Sequence, residues 1–265
     1  MWQQSYLSAL GLAAAQWKLA ALFTSASLVE ARRVNRIALL TPFLSILVQV
    51  GCLGLVYSEL LGINFADYIP FLAVSLALWQ GFANFVTNTA FYNDSINRHM
   101  SFNPFSPYTI HLAGLFESML LLGAKLAAAV VIIVGFGHTL PSITAIAGAL
   151  LGFAVLAPFL FCFGIITAYV FDRFRIFRAL LPQLLGLAFL VTPVIWRREQ
   201  LARLKWLADF NPLAHGLDMV RRPLLEGVIP WTSLLVVLGL TCCLAILGRA
   251  VHSLNRDLVL FRWIS

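Results

Sequence analysis

Two ionisable side chains and a run of amides occupy positions where their chemistry is informative. Glu117 and Lys125 share the apolar run Thr109–Gly135. Eight residues of separation put them on roughly one helical face, about 12 Å apart, too far for a direct ion pair. Charge at membrane depth is costly, so each must face protein or water rather than lipid. They either line a polar path or have bland roles, snorkelling for the lysine and an interhelical hydrogen bond for the glutamate. In the run Ile69–Phe91, Gln80, Asn84, Asn88 and Phe91–Tyr92 recur at helical spacing, and Trp79 lies near the middle. Amides beside aromatic faces suit sugars, which hydrogen-bond through hydroxyls and stack through C–H faces. The same polar residues would equally hold helices together.

Most enzyme chemistry is missing. A phosphate-binding loop needs Gly-Lys followed by Ser or Thr, and none of Lys18, Lys125 and Lys205 has that setting. The chain is expected to hydrolyse no ATP and to carry no cofactor. His99, His111, His138, His215 and His252 show no paired spacing, so no metal site is expected. His215 and Asp218 stand one turn apart, which suits a capping or loop role better than catalysis. Cys52, Cys162, Cys242 and Cys243 lie in apolar stretches and are expected as buried small hydrophobes.

The elements that position these residues follow from composition. Of 265 residues 61% are hydrophobic and 11% charged, with mean hydropathy +0.89. A soluble domain has roughly 25% charged residues, so an integral membrane protein is expected, with room for a single membrane domain. A bilayer crossing needs about 20 apolar residues. Six runs qualify: 37–57, 69–91, 109–135, 143–171 with Pro158 near its middle, the short 179–196 with Pro182 and Pro193, and 229–247. These continuous runs disfavour a β-barrel. The expected fold is an all-α, six-span bundle over 37–248, with a tail at 249–265. Residues 4–30, alanine-rich and polar at their ends, suit an amphipathic helix lying in the interface better than a seventh span. Lys18 follows the apolar part of 1–23, the wrong order for a cleavable signal.

Lysine and arginine set the orientation. With six spans both termini share a side, and that side holds eleven: Lys18, Arg32, Arg33, Arg36, Arg98, Arg173, Arg175, Arg178, Arg249, Arg256 and Arg262. It is expected to be cytoplasmic. The segment 197–228 is the exception, with six: Arg197, Arg198, Arg203, Lys205, Arg221 and Arg222. Either this outer segment faces anionic headgroups or substrate, or its arginines pair with Glu199, Asp209, Asp218 and Glu226. Trp196, Trp206 and Trp231 mark the outer boundary; Trp17 and Trp263 mark the inner one.

The order of elements resembles the permease subunit of type-2 ABC exporters of bacterial surface polysaccharide. The resemblance rests on the basic elbow Glu30-Ala-Arg-Arg-Val-Asn-Arg36, Thr41-Pro42 at the first span, and the polar loop 93–107. It rests also on Thr192-Pro193-Val194-Ile195-Trp196 and, above all, on Asn211-Pro212-Leu213-Ala214-His215 followed by Asp218 and Arg221. The first span lacks the family's Gly-x-x-Trp. The resemblance implies a homodimer with two copies of a separate ATPase that holds ATP and magnesium, in the bacterial inner (cytoplasmic) membrane. It implies that Asn93, Asp94, Ser95, Ile96, Asn97, Arg98, His99 and Met100 form the coupling loop that docks on the ATPase, beside an elbow of Arg32, Arg33 and Arg36. It makes 197–225 a re-entrant outer element carrying Asn211, Pro212, His215, Asp218 and Arg221. Trp79, Asn84, Asn88, Phe91, Tyr92 and Glu117 are then the candidate conduit for a lipid-linked glycan: an O antigen, a capsule or a teichoic acid. No nucleic-acid partner is expected. The alternatives are a permease for a drug or small lipid, an ion-coupled carrier using Glu117, and a membrane-bound glycan-modifying enzyme with only His215 and Asp218 in its favour.

Overall fold

The structure, a computed structural model, describes residues 16–30, 33, 40–91, 107–136, 140–200 and 205–261. All regular elements among the described residues are helical. In chain order they are α1 (residues 16–30), α2 (Thr41–Leu61), α3 (Phe65–Thr89), α4 (Pro107–Gly135), α5 (Ile143–Arg173), α6 (Arg175–Val191), a 3-10 turn (Arg198–Gln200), α7 (Lys205–Asp209), α8 (Pro212–Glu226) and α9 (Trp231–Phe261).

Five of these, α2, α3, α4, α5 and α9, are long and apolar enough to cross a membrane. The chain is an all-α membrane protein. The remaining expected crossing, 179–196, is the 17-residue α6, about 25 Å long. It ends early because Pro193 disfavours helical backbone in the residue before it, and Thr192 is extended (φ −86°, ψ 137°). At the other end of the chain α9 continues past 248 as far as Phe261. The helix starts and stops are chemically marked. Asn64, Ser142 and Asn211 cap α3, α5 and α8 by accepting from the Ala66, Ala145 and Leu213 amides at 2.9, 3.1 and 2.9 Å. Gly62 and Gly227 close α2 and α8 in the left-handed region, at φ 62° and 68°.

The chain divides into two compact units. The first contains α1–α4 and the segment Pro193–Gln200. Its centre is α3, where Tyr68, Ile69, Leu72 and Phe85 are buried. Glycines let the neighbours close in: a Cβ on Gly54 of α2 would meet Ile69, and one on Gly81 of α3 would meet Leu122 of α4. On α4, the Thr24 hydroxyl of α1 donates to the Ala113 carbonyl at 3.1 Å, and the Trp17 ring lies tilted with its centroid 5.1 Å from that of Phe116. From Trp17 to Thr24 α1 advances about 10 Å, while the partner position on α4 moves back by only about 4.5 Å. These two contacts seat α1 against α4.

The second unit contains α5–α9, and its closest approach is between α5 and α8. A Cβ on Gly152 would lie 2.2 Å from the Met219 carbonyl oxygen, and one on Gly148 would lie 3.0 Å from Pro223 Cβ. The obstacle at Gly152 is backbone, which cannot rotate away. Gly152→Ala is therefore expected to push α8 off α5 and cost about 1–3 kcal/mol. Gly81→Ala should cost less, because the Leu122 side chain can yield. Gly186→Ala, with nothing within 4 Å in its own chain, should raise stability by about 0.5–1 kcal/mol, since alanine is the better helix former. Thermal unfolding of the three detergent-solubilised variants checks the order.

Candidate functional site

The amide stripe is built on α3. Asn84, Thr87 and Asn88 are exposed, and Phe91 beyond the helix end is 52% exposed. These positions (i, i+3, i+4, i+7) share one helical face. Gln80 continues the stripe toward mid-helix and donates a short hydrogen bond to Gln49 of α2, whose own amide donates to Ser45 at 3.3 Å. Ser45, Gln49, Gln80, Asn84, Thr87 and Asn88 thus form one polar strip across α2 and α3. Gln49 and Ser45 are additions to the set expected from sequence. Gln49 is the one amide in its span, a signal that was present but could not say which helix it meets.

Trp79 lies elsewhere. It is 7% exposed, with its ring 5.9 Å from Phe82, about half a turn around α3 from Asn88. Glu117 is half-buried on α4, and Lys125 is 5% exposed. Tyr92, the expected coupling loop Asn93–Met100, Arg32 and Arg36 lie outside the described residues. Arg33 is exposed on helical backbone. The cysteines are free thiols: Cys52, Cys242 and Cys243 are exposed and Cys162 is intermediate, so the expected burial within the chain is not found. α2 and α9 present most of their apolar surfaces outward.

The second cluster is the corner formed by α6–α9. Pro212 occupies the first turn of α8, where its missing N–H costs nothing. Asn211, besides capping α8, donates from Nδ2 to the Thr192 hydroxyl at 3.0 Å and so ties α8 to the end of α6. His215 has Nε2 2.9 Å from the Asp209 carbonyl and Nδ1 3.0 Å from the Ser233 hydroxyl. A carbonyl only accepts, so Nε2 carries the hydrogen, and in the neutral ring Nδ1 accepts from Ser233. One imidazole therefore joins α7, α8 and α9. Asp218 and Arg221 pair at 2.5 Å, 4% and 6% exposed. Arg222 pairs with Glu226 at 2.8 Å on the exposed side. Two of the pairings expected for the basic outer segment are therefore present. Leu187, Val191, Trp206, Phe210 and Leu213 line an apolar groove of about 400 Å³ next to Asn211.

In the first unit, the segment after α6 is anchored to the start of α3. The Tyr68 hydroxyl donates to the Ile195 carbonyl at 2.7 Å, and Arg197 Nη2 donates to the Asp67 carbonyl at 3.0 Å with its guanidinium 5.1 Å from the Phe71 ring. Arg197 thus binds a carbonyl and a ring, neither of which a count of acidic partners could show.

A family model for the ABC-2 type transporter matches residues 20–225, a range that takes in the amide stripe and most of the corner. The chain belongs to that family. None of the curated proteins compared with it matches. This ABC-2 chain is the membrane-spanning permease subunit of an ABC transporter, a multi-pass protein whose family works with an ATPase subunit.

The corner of the permease reads chemically as a scaffold. Asp218→Leu leaves Arg221 charged and buried, at an expected cost of about 3–5 kcal/mol. Asp218→Leu combined with Arg221→Leu should recover much of it, whereas Asn211→Ala should cost about 1 kcal/mol. A double-mutant cycle by thermal unfolding in detergent checks the coupling.

Proposed function

We propose that this ABC-2 permease exports a lipid-linked polysaccharide across the bacterial inner membrane, as a homodimer driven by two copies of a separate ATPase. The observation that carries the polysaccharide reading is the strip from Ser45 and Gln49 to Gln80, Asn84 and Asn88 on two membrane-length helices, with Gln49, Asn84 and Asn88 exposed. Hydrocarbon supplies no donor or acceptor, so exposed amides on a membrane-crossing helix are best placed facing water or protein. Every amide offers both a donor and an acceptor, which suits hydroxyl groups of varied orientation. Gln80, Asn84 and Asn88 repeat about every 6 Å, so a glycan moving along α3 exchanges one amide for the next. Phe91 adds a stacking face at the end of the stripe. The conduit then lies where the strips of two permeases meet.

The drive comes from the partner. The sequence holds no Gly-Lys-Ser/Thr loop, and ATP with magnesium belongs to the ATPase. Asn93–Met100 is the element assigned to dock on it, with Arg32, Arg33 and Arg36 alongside and both termini cytoplasmic. The apolar groove beside Asn211 favours a second reading, export of a small lipid or drug; in the first reading the same groove would suit a carrier lipid's tail.

Purification in mild detergent is expected to bring down an equimolar P-loop ATPase. Deleting Asn93–Met100 should abolish ATPase stimulation and export while the permease stays in the membrane; normal export from that variant would sink the coupling assignment. Cells lacking the gene should accumulate lipid-linked glycan inside, and their failure to do so would favour the small-lipid reading. Replacing Gln80, Asn84 and Asn88 together by Leu should lower glycan export at least tenfold without loss of membrane-inserted protein.

A further inference from the structure

The turn from α5 to α6 is a single residue, Phe174 (φ −125°, ψ 83°), within the sequence Asp172-Arg-Phe-Arg-Ile-Phe-Arg178. Its interior is well held. The Phe174 amide donates to the Val170 carbonyl at 2.8 Å, and Arg178 Nε donates to the Phe171 carbonyl at 3.1 Å, satisfying a carbonyl left open at the end of α5. Asp172 stands 3.8 Å from Arg178. Its outer surface differs: Phe174, Ile176 and Phe177 are 50%, 62% and 39% exposed, with the two rings packed edge to face at 6.1 Å. Arg173 and Arg175 are exposed among them, Arg173 with its guanidinium 5.5 Å from the Phe174 ring. Arg175 opens α6, where the helix dipole disfavours positive charge, and it makes no ion pair among the described residues.

We infer that this corner is a binding surface for anionic phospholipid. The Arg173 and Arg175 guanidiniums take the phosphate and the exposed Phe174, Ile176 and Phe177 enter the acyl boundary below it. Three observations select lipid over a soluble protein. The corner lies at the end of a membrane-length helix, α5. Its apolar and basic residues alternate within two turns, so the same surface must meet hydrocarbon and negative charge together. The arginine fork also suits phosphate oxygens. The inference rests on α5 crossing the bilayer; it depends on neither the exported substrate nor the leaflet.

The test titrates the full-length permease, in detergent with its co-purifying ATPase, with phosphatidylglycerol and with phosphatidylcholine, and reads bound lipid by native mass spectrometry. Phosphatidylglycerol should bind more tightly, by about fivefold for each arginine engaged. Arg173→Gln with Arg175→Gln should abolish that preference, and Arg173→Lys with Arg175→Lys should keep part of it. Phe174→Ser with Phe177→Ser should weaken both lipids alike. If the glutamine variant elutes as aggregate, the lysine pair and the serine pair still decide between charge and apolar insertion. An unchanged preference in a well-folded glutamine variant overturns the inference. So does loss of the ATPase with the lipid preference intact, which would make the corner a protein dock. Glycan export is not read, so a different exported substrate leaves the result standing.

Discussion

Hydrocarbon offers no hydrogen-bond partner, and each polar group of a membrane chain must find one inside the protein or face a watery path. The corner of the second unit meets this demand internally. α8 is a short helix carrying His215, Asp218 and Arg221, and it is buried from Ala214 to Arg221. That burial is tolerable because its charges are paired and the imidazole uses both nitrogens, on Asp209 and Ser233. Contact with α5 is made through backbone: Gly152 has no side chain to hold the Met219 carbonyl away. The Asn-Pro-Leu-Ala-His segment therefore works as one joint. Asparagine caps and ties, proline starts the helix without an orphan N–H, and histidine fastens the next turn.

In the first unit the same demand is left open on one side. α3 buries Tyr68, Leu72, Trp79 and Phe85 against its neighbours and turns Asn84, Thr87 and Asn88 outward. The amide stripe begins at mid-helix, where Gln80 meets Gln49, and runs to one end. The other end, at Asp67 and Tyr68, holds Ile195 and Arg197. Pro70 lies between the two ends and removes one backbone hydrogen bond of the helix. α3 thus joins the stripe at one end to the anchored segment at the other.

Much of this fold was legible in the sequence, since a 20-residue apolar run without charge has few other uses. Expected and observed boundaries differ by two to four residues at both ends of α3, 69–91 against Phe65–Thr89, because the capping Asn64 lies outside the hydropathic run. The shortness of α6 was readable from Thr192-Pro193. The pairings were not: Gln49 and Gln80 stand 31 residues apart and Tyr68 and Ile195 stand 127 apart. Periodicity tells which face a residue occupies but not what lies opposite it. It does distinguish Trp79 from Asn88, half a turn apart, a difference that position along the span had hidden.

The segment 197–228 carries six basic residues and by count opposes the proposed orientation, which puts it on the outer side. Its structure changes the weight of that count. Arg221 and Arg222 are paired within α8, and Arg197 is bound to a carbonyl and a ring. The lysine and arginine bias applies to short connecting loops, whereas Arg221 and Arg222 here belong to a largely buried helix, α8. The cationic corner at Arg173 and Arg175 is different: it is a one-residue connection with its charges exposed, so it carries full weight. Weighted in this way, the count from 197–228 tells less against the proposed orientation, in which the α5–α6 turn is cytoplasmic.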